Sequence, residues 1–159
     1  MPKNEKIVTR PQMQEIAARL KNAGRKIVFT NGCFDILHVG HLELLEAARG
    51  QGDILIVGLN SDNSVRHLKG SKRPLNNEAD RARILAALEV VDYVVIFAED
   101  TPRQLIEAII PNILVKGGDY NLDTIVGRDI VEAHGGTVIV FPLVQGKSTS
   151  GLIDKLFQI

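Results

Sequence analysis

Tryptophan is absent, tyrosine occurs twice and cysteine once, and 19 Lys and Arg are matched by 19 Asp and Glu. Each shortage removes a class of function. With so few aromatic rings to stack on bases and no net positive charge, the chain lacks the footprint of a nucleic-acid binder. The single cysteine, Cys33, forms no disulfide within the chain. No run approaches the roughly 18 apolar residues of a membrane span, and no apolar stretch near the N-terminus reads as a secretion signal. A cytoplasmic protein with no membrane partner is therefore expected. No repeat, low-complexity tract or linker interrupts the chain, and 159 residues suit a single domain over 1–159, with 1–10 as a loose N-terminal arm.

What is present is alternation. Short β-branched runs at 26–30, 53–59, 93–97, 112–116 and 137–141 read as buried parallel strands. Helical patterns at 11–23, 40–50, 77–89, 102–110, 128–135 and 149–157 separate or follow them. This predicts an α/β fold, a doubly wound five-stranded parallel sheet with helices on both faces. Ligands of such sheets bind beyond the carboxyl ends of the strands, where the strand order reverses.

The first strand runs into Asn31-Gly32-Cys33-Phe34-Asp35-Ile36-Leu37-His38-Val39-Gly40-His41 and then a helix. A helix start has N–H groups without internal partners and the positive end of the dipole, so an anion is favoured there. Gly32 and Gly40 would let backbone approach a polyphosphate, and His38 and His41, three apart, face one side of the opening turn as phosphate donors. The competing reading makes one His a cap and the other a core residue. Cys33 beside His38 also has the form of a thiol and its base, although a small residue buried at a strand end is the reading preferred here.

Three further clusters follow. The polar, basic stretch 66–78 carries Lys69, Lys72 and Arg73 and reads as a mobile loop able to close on a ligand bearing roughly four negative charges, or else as a solvated surface. Lys116-Gly117-Gly118-Asp119-Tyr120 leaves a strand on the same edge, with a cation and an acceptor for a base, ribose or sugar; an ordinary tight turn is the alternative. Gly146-Lys147-Ser148-Thr149-Ser150 precedes the last helix, with Ser148 as N-cap and a second anion cradle. Arg81 and Arg128 read as surface charges, with a phosphate ligand as the alternative for each.

These residues resemble the nucleotidyltransferase superfamily that carries a His-x-Gly-His signature on a Rossmann-like sheet. His38-Val39-Gly40-His41 matches it, and 146–150 looks like its second signature. Within the superfamily, Asn31 to His38, Asn60-Ser61-Asp62, Leu68-Lys69-Gly70, Arg73-Pro74 and Val115 to Tyr120 resemble the adenylyltransferases of D-glycero-β-D-manno-heptose 1-phosphate, found alone or fused to a sugar kinase. Lys147 stands where that family often has Cys, and Leu143-Val144-Gln145-Gly146 replaces the Arg-Thr-Glu-Gly of glycerol 3-phosphate cytidylyltransferases.

The resemblance implies a stand-alone enzyme that transfers AMP from ATP to a sugar 1-phosphate, with Mg²⁺ bound mainly through the ATP phosphates. His38, His41, Lys69 and Arg73 would be catalytic. Gly32, Cys33, Phe34, Gly40, Lys116, Gly117, Asp119, Gly146, Lys147, Ser148, Thr149 and Ser150 would hold the nucleotide together with the two histidines. Asp35, Lys69, Lys72 and Arg73 would touch the sugar phosphate, with support of the histidine turn as the other reading of Asp35. A homodimer or higher homo-oligomer is expected. Cytidylyl transfer to a polyol phosphate such as glycerol 3-phosphate, or nucleotide binding without turnover, are the alternatives.

Overall fold

The structure is a computed structural model and describes residues 3–118, 120–142 and 149–156. In chain order the elements are α1 (Arg10–Asn22), β1 (Ile27–Gly32), α2 (Val39–Arg49), β2 (Ile54–Asn60), α3 (Asp62–Lys69), α4 (Glu78–Ala87), β3 (Tyr93–Phe97), α5 (Arg103–Ile109), β4 (Ile113–Gly117), α6 (Arg128–Ala133), β5 (Thr137–Phe141) and α7 (Thr149–Leu156). The strands form one parallel sheet in the order β3-β2-β1-β4-β5. The doubly wound α/β sheet expected from the alternation is present.

Central position explains the composition of β1. A parallel strand covered on both faces needs apolar residues in both directions, and Ile27, Val28, Phe29 and Thr30 are all fully buried. Successive side chains point to opposite faces, which separates two cores. Val28, Leu55, Val57 and Val115 pack with Leu45 and Ala48 of α2 and Leu85 of α4 on one face. Phe29, Ile56 and Leu114 pack with Met13 of α1 and Leu105 and Ile106 of α5 on the other. From β1 the chain steps outward to β2 and β3, then crosses back to β4 and β5. The reversal therefore lies between β1 and β4, and their carboxyl ends frame a crevice.

Local signals set the boundaries. Thr9 caps α1: its backbone N–H donates to Gln12 Oε1 (2.8 Å) while the Gln12 N–H donates back to Thr9 Oγ1 (3.4 Å). Gly24, at φ +71°, ends that helix in a conformation that other residues rarely adopt.

Two expectations change. Residues 3–9 are not a loose arm: Lys3–Lys6 form a 3₁₀ turn, Ile7 pairs with Val94 of β3, and Lys6 Nζ donates to the carbonyls of Leu88 (3.2 Å) and Val91 (2.6 Å). Edge strand β3 gives this segment open backbone groups to satisfy. The stretch 66–78 is also not one loop, because 66–69 are the last turn of α3 and Glu78 opens α4. α3 buries little beyond Ser64 and Val65 and so shows no apolar stripe. It is set by its start, where Ser61 Oγ accepts from Ser64 N (3.2 Å) and Glu78 accepts from Asp62 N (2.7 Å).

Candidate functional site

The turn after β1 is built around Phe34, which takes a left-handed backbone conformation (φ +45°) and tucks its ring inward. A Cβ on Gly32 would meet that ring at 3.0 Å, so a side chain there would make the ring shift by a few tenths of an ångström, while glycine leaves it room. Phe34 then supports His41 edge-on, with ring centroids 5.2 Å apart. His38 occupies the N-cap of α2, and the two imidazoles stack at 3.8 Å with planes 24° apart. His38 N donates a long bond (3.4 Å) to His41 Nδ1. That bond leaves His41 Nε2 to carry the hydrogen of the neutral ring and to donate it outward. Burial, then the neighbouring His38 and Lys69, lower the His41 pKa from 6.5 to about 4.

Asp35 does not face the crevice. Its carboxylate is 1% exposed and accepts from Arg73 Nε (2.7 Å), Leu75 N (2.8 Å) and Asn76 N (3.0 Å). Burial opposes its charge, but the Asn76 and Leu75 N–H groups and the Arg73 guanidinium outweigh that and hold the carboxyl below its ordinary range. Asp35 thus anchors the 70–77 connection to the histidine turn, which agrees with the supporting role rather than the substrate contact expected of it. We expect Asp35→Asn to destabilise the fold by about 1–3 kcal/mol in urea denaturation near neutral pH. A group with a depressed folded-state pKa contributes stability above its unfolded value, 3.8, and loses it as pH falls through the folded value. The variant's deficit should therefore shrink in acid.

Arg73 uses one face of its guanidinium on Asp35, and its Nη2 is buried without a hydrogen-bond partner among the described residues. Arg81 corrects the surface reading outright. It is 1% exposed, and it donates to the carbonyls of Asn76 (3.0 Å), Cys33 (2.6 Å) and Asn60 (2.8 Å) and to Asp62 Oδ1 (2.8 Å). Its place on the buried stripe with Leu85, four residues on, was the available signal. Arg128 is a surface charge as expected, paired with Asp123 and Glu132.

Two cavities open at the carboxyl edge. The smaller, about 210 Å³, lies against α2 and is lined by Gly40, Glu43, Leu44, Ala47, Gly117, Phe141 and Pro142. Gly117 lets the wall close up there, since a Cβ would meet the Leu44 methyl at 2.8 Å and push that side chain aside. The larger, about 440 Å³, is lined among others by Asn31, Gly32, Cys33, Asn60, Lys69, Asp100, Lys116 and Tyr120. The thiol of Cys33 is pushed up by burial, which makes it a poor nucleophile and favours the packing reading. Lys116 Nζ donates to Asn31 Oδ1 (2.6 Å), a pairing that sequence reasoning missed because it depends on strand register.

The structure thus brings Gly32, Cys33, Lys69 and Lys116 to one cavity, Gly40 and Gly117 to the other, and His38, His41 and Phe34 to the turn at the start of α2. Lys72 is exposed on the 70–77 connection and is not in the lining of either cavity. Asp119, Gly146, Lys147 and Ser148, and the side chains of Thr149 and Ser150, lie outside the described residues, and with them the second cradle. No helix among the described residues is long and apolar enough to cross a membrane.

Comparison with known proteins fits this geometry. The family described as cytidylyltransferase-like matches residues 29–149. The bifunctional protein HldE of Citrifermentans bemidjiense is 60% identical over 139 residues, covering 87% of this chain and 28% of that protein. HldE of Trichlorobacter lovleyi is 54% identical over 155 residues, covering 98% and 32%. The chain therefore spans about a third or less of the length of these curated relatives. Among solved structures, a lipopolysaccharide core biosynthesis protein from Thermoplasma volcanium superposes with a TM-score of 0.62 at 28% identity, over 76% of this chain and 97% of that one. Pantoate-beta-alanine ligase from Francisella tularensis, at 19% identity and a TM-score of 0.63 over 96% and 78%, shares the fold. A match that starts in β1, takes in both histidines and runs to the first residue of α7 shows that the chain belongs to the cytidylyltransferase-like family of nucleotidyltransferases.

Proposed function

We propose that the chain transfers AMP from ATP to D-glycero-β-D-manno-heptose 1-phosphate, giving ADP-heptose and pyrophosphate for the assembly of a lipopolysaccharide core. The observation that carries this is the stacked His38–His41 pair at the start of α2, beside the β1/β4 reversal, in a chain 54–60% identical to stretches of HldE proteins. A phosphate oxygen of the sugar attacks the α-phosphorus in line. The new P–O bond forms as the bond from the α-phosphorus to the bridging oxygen breaks, and its electron pair leaves with pyrophosphate. The attacking phosphate is already ionised at neutral pH, so the protein supplies position and charge stabilisation and no general base.

The smaller cavity against α2 suits the nucleoside, with Gly40 and Gly117 as close backbone walls. The larger one, rich in amide, hydroxyl and ammonium groups, suits the phosphorylated sugar. His38 and His41 donate to the α-phosphate region. Lys69 and the unpartnered Nη2 of Arg73 offer cationic donors to the incoming phosphate. Gly146 to Ser150 hold the β- and γ-phosphates in this reading, and Asp119 accompanies Gly117 at the nucleotide. Mg²⁺ enters with the triphosphate, which such transferases take as its magnesium complex; among the described residues no group of three or more His, Cys, Asp or Glu gathers to cage it. The homo-oligomer belongs to the same reading, with the half-exposed Val39, Leu42 and Ile84 as its apolar surface.

Incubation with Mg²⁺, ATP or CTP, and a panel of sugar and polyol phosphates tests the proposal. The expected result is pyrophosphate release with ATP and heptose 1-phosphate and a product of ADP-heptose mass. CDP-glycerol from CTP would replace the reading with cytidylyl transfer, and nucleotide binding without any pyrophosphate would replace it with a regulatory role.

A further inference from the structure

Lys116 carries its charge where water does not reach it well and where no described carboxylate balances it. Burial alone moves its pKa down to about 8, with no charged group contributing. One of its three N–H donors goes to Asn31 Oδ1, and the ring of Tyr120 lies 5.9 Å away. A half-buried cation with a neutral partner only is costly, and the cost is removed when an anion arrives to pair with it.

Strand geometry decides which ligand brings that anion. Phe29 and Leu114 are register partners in the core that faces α1 and α5. Asn31 and Lys116 stand two residues further along each strand, so they point to that same face. Gly117, one residue on, points to the α2 face and meets Leu44. Lys116 therefore serves the larger cavity, opposite the wall assigned to the nucleoside. Lys69 stands on the same cavity from the end of α3, and its charge is felt by His41. These two ammonium groups therefore line one cavity, on the sheet face away from Leu44 of α2.

We propose that Lys116 is a specificity-determining residue of the acceptor site: it binds the phosphate of the phosphorylated acceptor at the β1/β4 edge of the larger cavity, is positioned there by Asn31, and does not hold the nucleotide. This deepens the transferase reading above and rests on it. Asp100 shares the cavity and repels a phosphate, and its carboxylate is the acceptor for sugar hydroxyls in this reading. The groups facing the site are Lys69 from α3, Cys33 from the turn after β1, Asp100 from the approach to α5, and Tyr120 beyond β4.

The test compares the wild type with Lys116→Met, a neutral chain of similar length, and Lys116→Arg, with folding checked by circular dichroism. Lys116→Met should raise the KM for heptose 1-phosphate about tenfold or more, as expected for loss of a charge-assisted contact, while the KM for ATP stays within about twofold. Wild-type kcat/KM for the acceptor should fall as pH rises through about 8, where the free enzyme loses the proton. Lys116→Met should lack that fall, Lys116→Arg should stay flat past it, and Asn31→Ala should move it to lower pH by removing the acceptor that favours the ammonium. A rise confined to the KM for ATP, or no change in either constant, overturns the assignment. Calorimetry with inorganic phosphate, in the presence of a non-hydrolysable ATP analogue, separates it from the overall reading. If the wild type makes no nucleotide sugar yet binds phosphate that Lys116→Met does not, the transferase reading falls and the anion site stands. Equal binding by both proteins removes the site.

Discussion

Replacing His41 by alanine is expected to lower kcat by about 10²-fold or more, the scale for removing one preorganised donor aimed at charge that develops in the transition state. The proposed role rests on how the ring is held: Phe34 meets it edge-on, His38 stacks on it, and the bond from His38 N to Nδ1 leaves Nε2 as the donor. With a pKa of about 4 the ring enters the reaction neutral, so the free enzyme should show no inflection from this group between pH 5.5 and 8. The same shift has a stability consequence. Below pH 6.5 the unfolded chain takes up a proton that the folded ring refuses, so stability declines as pH falls from 6.5 toward 4. His41→Ala should lose turnover and flatten that decline together. Single-turnover kinetics with heptose 1-phosphate and ATP read the first, and urea midpoints against pH read the second. Wild-type turnover in a folded variant would remove His41 from the chemistry.

Arg81→Met is expected to cost about 3–5 kcal/mol of stability, the range for breaking a buried charged pair while its partners stay buried. The side chain is fully enclosed, and its donors tie the end of β1 through Cys33, the end of β2 through Asn60, the 70–77 connection through Asn76 and the start of α3 through Asp62. Methionine fills the space and satisfies none of the three carbonyls. Activity should fall as well, because the turn that carries Phe34 and the connection that carries Arg73 lose a shared anchor. Arg81→Lys keeps the charge without the planar fork and should recover only part of the loss. Denaturant unfolding decides it: a change below about 1 kcal/mol would mean that the carbonyls find other donors and that the arginine is not the keystone described.

Strand boundaries were readable because the sheet is covered on both faces. Ile54–Asn60 and Ile113–Gly117 are each displaced by one residue from the expected 53–59 and 112–116, and Thr137–Phe141 coincides with the expected run. The histidine turn was equally readable, since it depends on a local order of strand, glycine and helix start. α3 was not, because it lacks an apolar stripe and depends on Glu78, 16 residues beyond Asp62, for part of its cap. Arg81 was misplaced for a related reason. A charged residue near a helix start looks solvated until the fold brings partners from 19 to 48 residues away to pair with it.

The chain by itself therefore determined the layered sheet, the location of its crevice and the pairing of two imidazoles at the start of α2, because periodicity and helix-start chemistry act over a few neighbouring residues. Only the tertiary structure decided which charges are tied to internal partners and which line a cavity. Asp35 and Arg81 became internal ties, while Lys116 came to rest beside Asn31 in a cavity. Burial and charge pairing are properties of space, and residues 31 and 116 share that space only after β1 and β4 align.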